Sequence, residues 1–365
     1  MKNMFLYVIV VAFICLLSFR QRELDAEPLN HTNTTIINGV FVLLIFLSHS
    51  TQYFNLPNNL LWSLYRHFQN FCNQWVVVSF LTFSGYGVMK KILMGRGGTR
   101  YVRQFPVKRL FKTWLNFAIA IVLFLIVDIC LGIRYDALTI IGSFIGLTSV
   151  GNSNWYVFAI LLMYLLTYIC AQIAVKADGK DVGVTSENAR KIAIGVTSGA
   201  LIYFVVAQFL LPSRFSSTVM CYPLGIWIAF YEEKFLNCFL KKRWISIAVL
   251  AIILVATYKL RYIDAVMNLA SICFALAIVW FLCWFKINSR ILEFIGTHAF
   301  SIFILQRIPF LMLQTLTPKI CEVPMAFVVV SFAVTLAISV AFDKMLKHVD
   351  NKIVPLLLEK ETPAF

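Results

Sequence analysis

The chain has 365 residues, of which 60% are hydrophobic and only 13% charged, with a mean hydropathy of +0.82 and 33 phenylalanines. A soluble domain carries about twice that share of charge, so the composition excludes a water-solvated globule and makes lipid the main solvent. The net charge of +15 would suggest nucleic acid in a soluble protein. In a chain this apolar, the bias of Lys and Arg toward cytoplasmic loops accounts for it, and no nucleic-acid partner is expected.

A membrane-spanning helix needs about 20 predominantly apolar residues. The first such run, 4–19, follows Lys2 as in a signal peptide. The residues after it, Phe19, Arg20, Gln21 and Arg22, offer no small-x-small cleavage site, so a retained extra helix is expected. Further spans are expected near 36–54, 71–90, 110–131, 153–175, 191–211, 216–231, 244–258, 263–285, 295–315 and 325–345, about eleven in all. The Gly-containing stretch 138–150 is too short to span and reads as a re-entrant or interfacial piece. The expected architecture is all-α and polytopic, with almost no soluble part and no internal repeat. The nine cysteines include no CxxC and no Cys/His cluster, so neither a metal site nor a disulfide framework is expected.

Orientation follows from the cations. The loop 90–112 holds Lys90, Lys91, Arg96, Arg100, Arg103, Lys108, Arg109 and Lys112. With that loop inside, alternation also places 20–35, 176–191, 232–243, 286–290 and 344–360 inside. Three quarters of the 32 lysines and arginines then lie on one side, which predicts an N-terminus outside and a C-terminus inside. The glycosylation sequons at Asn30 and Asn33 fall on the inner side in that arrangement, where they would be meaningless.

Several residues stand out against this apolar background. His49 ends the run 36–47 and is flanked by Ser48, Ser50 and Thr51. A histidine in a membrane segment is costly to bury and can take a proton near neutral pH, so it is a candidate base; the alternative is an interfacial histidine bonded to a neighbouring helix. Asn38, eleven residues earlier, lies about 16 Å away on the same helical face. It could begin a polar path to His49 or simply start the helix. Ser79, Thr82, Ser84, Gly85 and Gly87 form a small-residue surface suited to close helix packing. Pro106 can open the next helix, and Arg109 and Lys112, three residues apart, share a face at its mouth. Two cations there could hold a phosphate-rich cofactor or merely set topology.

The segment GNSNWYVF opens another span. In it Trp155 and Tyr156 read as interfacial anchors, and Asn152, Ser153 and Asn154 as polar loop residues or sugar contacts. Near the C-terminus, His298 lies close to the cytoplasmic surface, while Gln306 and Arg307 fall inside an apolar helix. An arginine so placed should face a cavity or a partner.

In this order, these residues resemble the acyltransferase family 3 membrane proteins, which include O-acetyltransferases of lipopolysaccharide, capsule, peptidoglycan and Nod-factor glycans. NGVFVLLIFLSH resembles the family's first core helix with its essential histidine, here His49. FLTFSGYGV resembles the second, and Arg109-Leu110-Phe111-Lys112 the basic R-x-x-R motif. Trp155-Tyr156, Pro223-Leu224-Gly225 and Gly296 through Ile304 resemble later motifs. Three positions depart from the family pattern: Asn38 replaces an Arg or Lys, Lys112 an Arg, and Gln306 a common His.

The resemblance implies a ten-helix acyltransferase-3-like domain over 34–345. It would be preceded by an extra N-terminal transmembrane helix and short loop (1–33) and followed by a cytoplasmic tail (346–365). It further implies a multi-pass protein of the bacterial inner membrane that transfers acetyl from cytoplasmic acetyl-CoA to a hydroxyl of a surface polysaccharide or its lipid-linked precursor. No metal would be involved. His49 would be catalytic, as a general base or a brief acyl carrier. Arg109 and Lys112 would bind the donor, and Asn154, Trp155 and Gln306 would contact substrate. The rival class is a transporter, flippase or polymerase of lipid-linked glycans. A transporter should show two related halves with broken helices, and a polymerase a large outer loop; neither is visible in this sequence.

Overall fold

The computed structural model describes residues 19–21, 27–54, 60–178 and 184–359. Strand β1 (Phe19–Gln21) precedes helices α1 (His31–Ser50), α2 (Leu60–Cys72), α3 (Val78–Ile92), α4 (Arg96–Phe105), α5 (Lys112–Cys130), α6 (Ala137–Ser143), α7 (Trp155–Asp178) and α8 (Ser186–Leu210). Then come α9 (Cys221–Phe230), α10 (Glu232–Lys241), α11 (Arg243–Tyr258), α12 (Asp264–Trp284), strand β2 (Phe285–Ile287), α13 (Arg290–Thr297), α14 (Ala299–Leu305), α15 (Arg307–Leu316) and α16 (Pro324–Glu359). The two strands pair antiparallel, with Arg20 opposite Lys286.

Among the described residues, seven helical runs are long and apolar enough to cross a membrane: 31–50, 97–130, 155–175, 186–210, 264–284, 299–316 and 324–358. The expected spans at 216–231 and 244–258 are the shorter apolar helices α9 and α11. The one expected at 71–90 is a 3-10 turn (Asn73–Val77) running into α3. The expected first span, 4–19, lies outside the described residues. Side chains such as Ile129, Ile173, Phe209 and Val255 are exposed, as lipid-facing helix surfaces require. The protein is an all-α, multi-pass membrane protein.

Several local features differ from the sequence reading. Residues 138–150 fold as the short helix α6, capped by Asp136, followed by turns. The amphipathic α2 was hidden by its mixed composition. Asn30 caps α1 by accepting a hydrogen bond from Asn33 N at 2.9 Å, and Asn33 is buried with its Nδ2 donating to Glu27 O and Pro28 O. The Asn33 amide nitrogen is therefore engaged and shielded, whichever side of the membrane it occupies.

Packing divides the chain into two units, each discontinuous in sequence. Of the described residues, those within 1–76, 115–154 and 285–351 form the first, and those within 77–114, 155–284 and 352–365 the second. In the first unit, α1 meets α13 backbone to backbone. A Cβ on Gly39 would lie 2.2 Å from Leu292 O, and one on Gly296 1.9 Å from Thr35 O. Phe46, Phe310, Phe327 and Phe332 form an aromatic core in this unit, with Phe46 and Phe310 rings 5.0 Å apart.

In the second unit, α3 crosses α9 the same way. A Cβ on Gly85 would lie 2.1 Å from Tyr222 O, and one on Gly225 1.9 Å from Thr82 O. The small-residue surface of 79–87 is thus a helix-packing face. Because the obstructing atoms are backbone, Gly225→Val should separate the helices at a cost of about 3 kcal/mol or more, the upper range of core overpacking. Gly87, with nothing near its Cβ position, should accept alanine without loss. Thermal unfolding of the two variants in detergent checks the contrast.

Candidate active site

The site is built around the C-terminal turn of α1. The apolar run 36–47 favours a buried helix, and the hydroxyl residues after it break that helix by bonding back to its carbonyls. Ser50 Oγ donates to Leu47 O and Thr51 Oγ1 to Ser48 O, both at 2.8 Å. Gln69 of α2 donates to Ser48 O, Ser48 Oγ and Thr51 Oγ1 at 3.0–3.1 Å, satisfying the end of the helix from outside. His49 is therefore held in a pinned final turn, half-buried, with its ring 6.4 Å from that of Phe303.

Two other segments of the same unit converge on it. The loop before α7 turns sharply at Gly151, whose φ of 86° favours glycine. A side chain there would also meet Leu311 Cδ1 at 2.9 Å. Asn152 Oδ1 accepts from Val150 N, and Asn154 Nδ2 donates to Gly146 O and Thr148 O, so the loop is braced on both sides of Ser153. Ser153 Oγ lies 3.5 Å from His49 Nδ1. Arg307 begins α15 just after the chain breaks at Gln306. Pro309 has no N–H to bond the carbonyl four residues back, which separates α15 from α14.

Arg307 Nε donates to Ser153 Oγ at 3.2 Å, Nη1 to Tyr53 OH at 3.4 Å and Nη2 to Gln52 Oε1 at 2.9 Å. Tyr53 in turn packs on Phe310, ring centroids 5.1 Å apart. Among the described residues no carboxylate lies within ion-pair distance of Arg307. The arrangement is a hydroxyl between an imidazole and a guanidinium held only by neutral partners, and it can move a proton beside a fixed positive charge.

The expected donor-site residues lie in the second unit. Between α4 and α5 the helix takes a π turn, Pro106–Phe111, in which Lys112 N–H reaches Val107 O, five residues back. Such turns often mark functional positions. Arg109 is half-buried there, its Nε donating to Tyr101 OH at 3.0 Å and its guanidinium 6.0 Å from the Tyr164 ring centroid. Its two terminal nitrogens make no hydrogen bond among the described residues. Lys91 lies over the other side of the region, 5.6 Å from the Tyr101 ring centroid. Lys112 opens α5, half-buried.

The remaining expected contacts have local tasks. Asn154 braces its own loop, and Trp155 opens α7 in the second unit beside Tyr156. Tyr156 is buried, its ring 6.1 Å from that of Phe80. Gln306 is fully buried in the first unit, donating to Phe303 O, and its Oε1 has no partner among the described residues. His298 pairs through Nδ1 with Asp343, which also accepts from Ser301. Gln52, Tyr53 and the bridging position of Ser153 escaped the sequence reading. The one available signal was Arg307, a buried cation requiring polar partners.

The fold is that of a multi-pass membrane protein, and its candidate site holds a histidine at a helix end. The family model described as "Acyltransferase domain" matches residues 35–344, and the chain belongs to that acyltransferase family. It is a membrane acyltransferase. No curated protein and no solved structure matches the chain.

Proposed function

We propose that the protein is an O-acetyltransferase. It would move acetyl from cytoplasmic acetyl-CoA to a hydroxyl of a bacterial cell-surface polysaccharide or its lipid-linked precursor, from the inner membrane, with N-terminus out and C-terminus in. The observation that carries this reading is the His49–Ser153–Arg307 constellation in a chain of the acyltransferase family. His49 takes the proton of an attacking hydroxyl as its oxygen adds to the thioester carbonyl; the C–S bond breaks, and the leaving thiolate takes that proton. Arg307 supports the negative charge that develops on oxygen. Arg109, with free terminal nitrogens in a basic segment, supports recognition of the donor's phosphates, aided by Lys112. The charge asymmetry of the loops supports the orientation.

An enzyme that decorates a glycan does not carry it. Deleting the gene should leave the surface polymer at normal length and amount but without ester-linked acetyl. Mild alkali strips O-acetyl esters, so treated wild-type polymer should become indistinguishable from the mutant's by proton NMR. Loss or shortening of the polymer, with acetyl retained on what remains, would instead establish a transporter or polymerase.

A further inference from the structure

We propose that Ser153 is a catalytic residue that carries the acyl group, so that transfer runs through an acyl-serine ester rather than directly from donor to acceptor. This rests on the acetyl-transfer reading above and adds a covalent step to it. Among the described residues Ser153 Oγ has two partners, Arg307 Nε at 3.2 Å and His49 Nδ1 at 3.5 Å. A guanidinium only donates, so Ser153 must accept from Arg307. In the imidazole tautomer that leaves Nδ1 without a proton, His49 Nδ1 accepts the hydroxyl proton of Ser153. A hydroxyl donating to an imidazole is the arrangement of an activated nucleophile and its base, and such contacts are commonly long before substrate binds.

Three further features suit a nucleophile better than a spacer. Arg307 lacks a carboxylate partner among the described residues, so its charge is available to an alkoxide or an oxyanion. Its outer nitrogens are tied to Gln52 and Tyr53, which fixes the direction in which Nε points. Ser153 is only 6% exposed and stands on a loop braced by Asn152 and Asn154, so an ester formed there would be sheltered from bulk water and held in place.

The step balances in two halves. In the first, Ser153 Oγ attacks the thioester carbonyl and its proton passes to His49. The C–S bond breaks, and the thiolate leaves with that proton, giving free thiol and acetyl-Ser153. In the second, the acceptor hydroxyl gives its proton to His49 and attacks the ester carbonyl. The bond to Ser153 Oγ breaks, and the serine regains the proton. A carried acyl group lets donor and acceptor visit in turn without meeting.

The test uses the purified full-length protein in nanodiscs, incubated with isotope-labelled acetyl-CoA without acceptor, acid-quenched and mapped by peptide mass spectrometry. The expected result is label on Ser153, with a burst of CoA thiol near one per protein. Label should be absent in His49→Ala and Ser153→Ala and restored in Ser153→Cys, where it is held as a thioester. Wild-type labelling alone suffices if Ser153→Ala fails to accumulate. Release of CoA thiol with Ser153 unlabelled would overturn the acyl-serine while leaving acetyl transfer standing, as would label on His49 instead. Polymer acetylation in a Ser153→Ala strain within about tenfold of wild type would do the same, since loss of a nucleophile and its base typically costs several powers of ten. Absence of both CoA release and polymer acetylation in the wild type would instead bring down the acetyl-transfer reading itself.

Discussion

His49→Ala is expected to lower acyl transfer by about 10²–10⁴-fold, the range that a positioned acid–base group contributes. The folded protein should remain. Among the described residues the imidazole makes one side-chain hydrogen bond, at 3.5 Å, and one loose ring contact, 6.4 Å to Phe303. The helix end around it is secured by other groups, namely Ser50, Thr51 and Gln69. Removing one weak hydrogen bond costs about 0.5–1.5 kcal/mol, too little to unfold the protein. The variant should therefore insert, accumulate and melt within a few degrees of wild type while transferring almost nothing. A histidine with a merely structural part would give the opposite pattern: less protein, with normal activity in what survives. Measuring turnover per folded molecule alongside the detergent melting curve separates the two, and undiminished turnover would remove His49 from the mechanism.

The parts of this protein that were legible in its sequence are those governed by local rules. The apolar run 36–47 declares itself within a few residues, whereas Pro106, expected to open a helix, lies inside the continuous helical run 97–130 at its π turn. His49 stood out as a candidate because a titratable group at the end of such a run is costly to bury. The relation of His49 to Ser153 and Arg307 was not legible. His49 and Ser153 lie 104 residues apart and Ser153 and Arg307 154, and no spacing rule connects the end of one span, the loop before another and a break in a third. The reading of Arg109 and Lys112 as α-helical neighbours three apart also met a local exception. The π turn changes the period in that very segment, and Arg109 turns to the Tyr101 hydroxyl and the Tyr164 ring. The helix α2 escaped because Arg66, His67 and Gln69 interrupt its apolar residues, and an amphipathic surface helix is too polar to read as a span.

That local geometry sharpens what should be expected at the donor site. Arg109 is anchored through Nε alone, so its guanidinium is oriented while its two terminal nitrogens stay open, the form in which arginine grips a phosphate with two parallel bonds. Arg109→Ala should therefore raise the KM for acetyl-CoA by roughly 10–100-fold, equivalent to about 1.5–3 kcal/mol for one charge-assisted contact, with kcat changed much less. Arg109→Lys keeps the charge but loses both the fork and the anchor to Tyr101, and should fall near the alanine variant rather than near wild type. Lys112→Arg should be tolerated, because a point charge at that position is enough. Raising the salt concentration should weaken donor binding in the wild type more than in Arg109→Ala, since the screened interaction is already missing from the variant. Isothermal titration of acetyl-CoA into each purified variant measures the effect directly, with melting curves to confirm that each is folded. Unchanged affinity in both Arg109→Ala and Lys112→Ala would remove this segment from donor recognition and leave its cations with the task of setting topology.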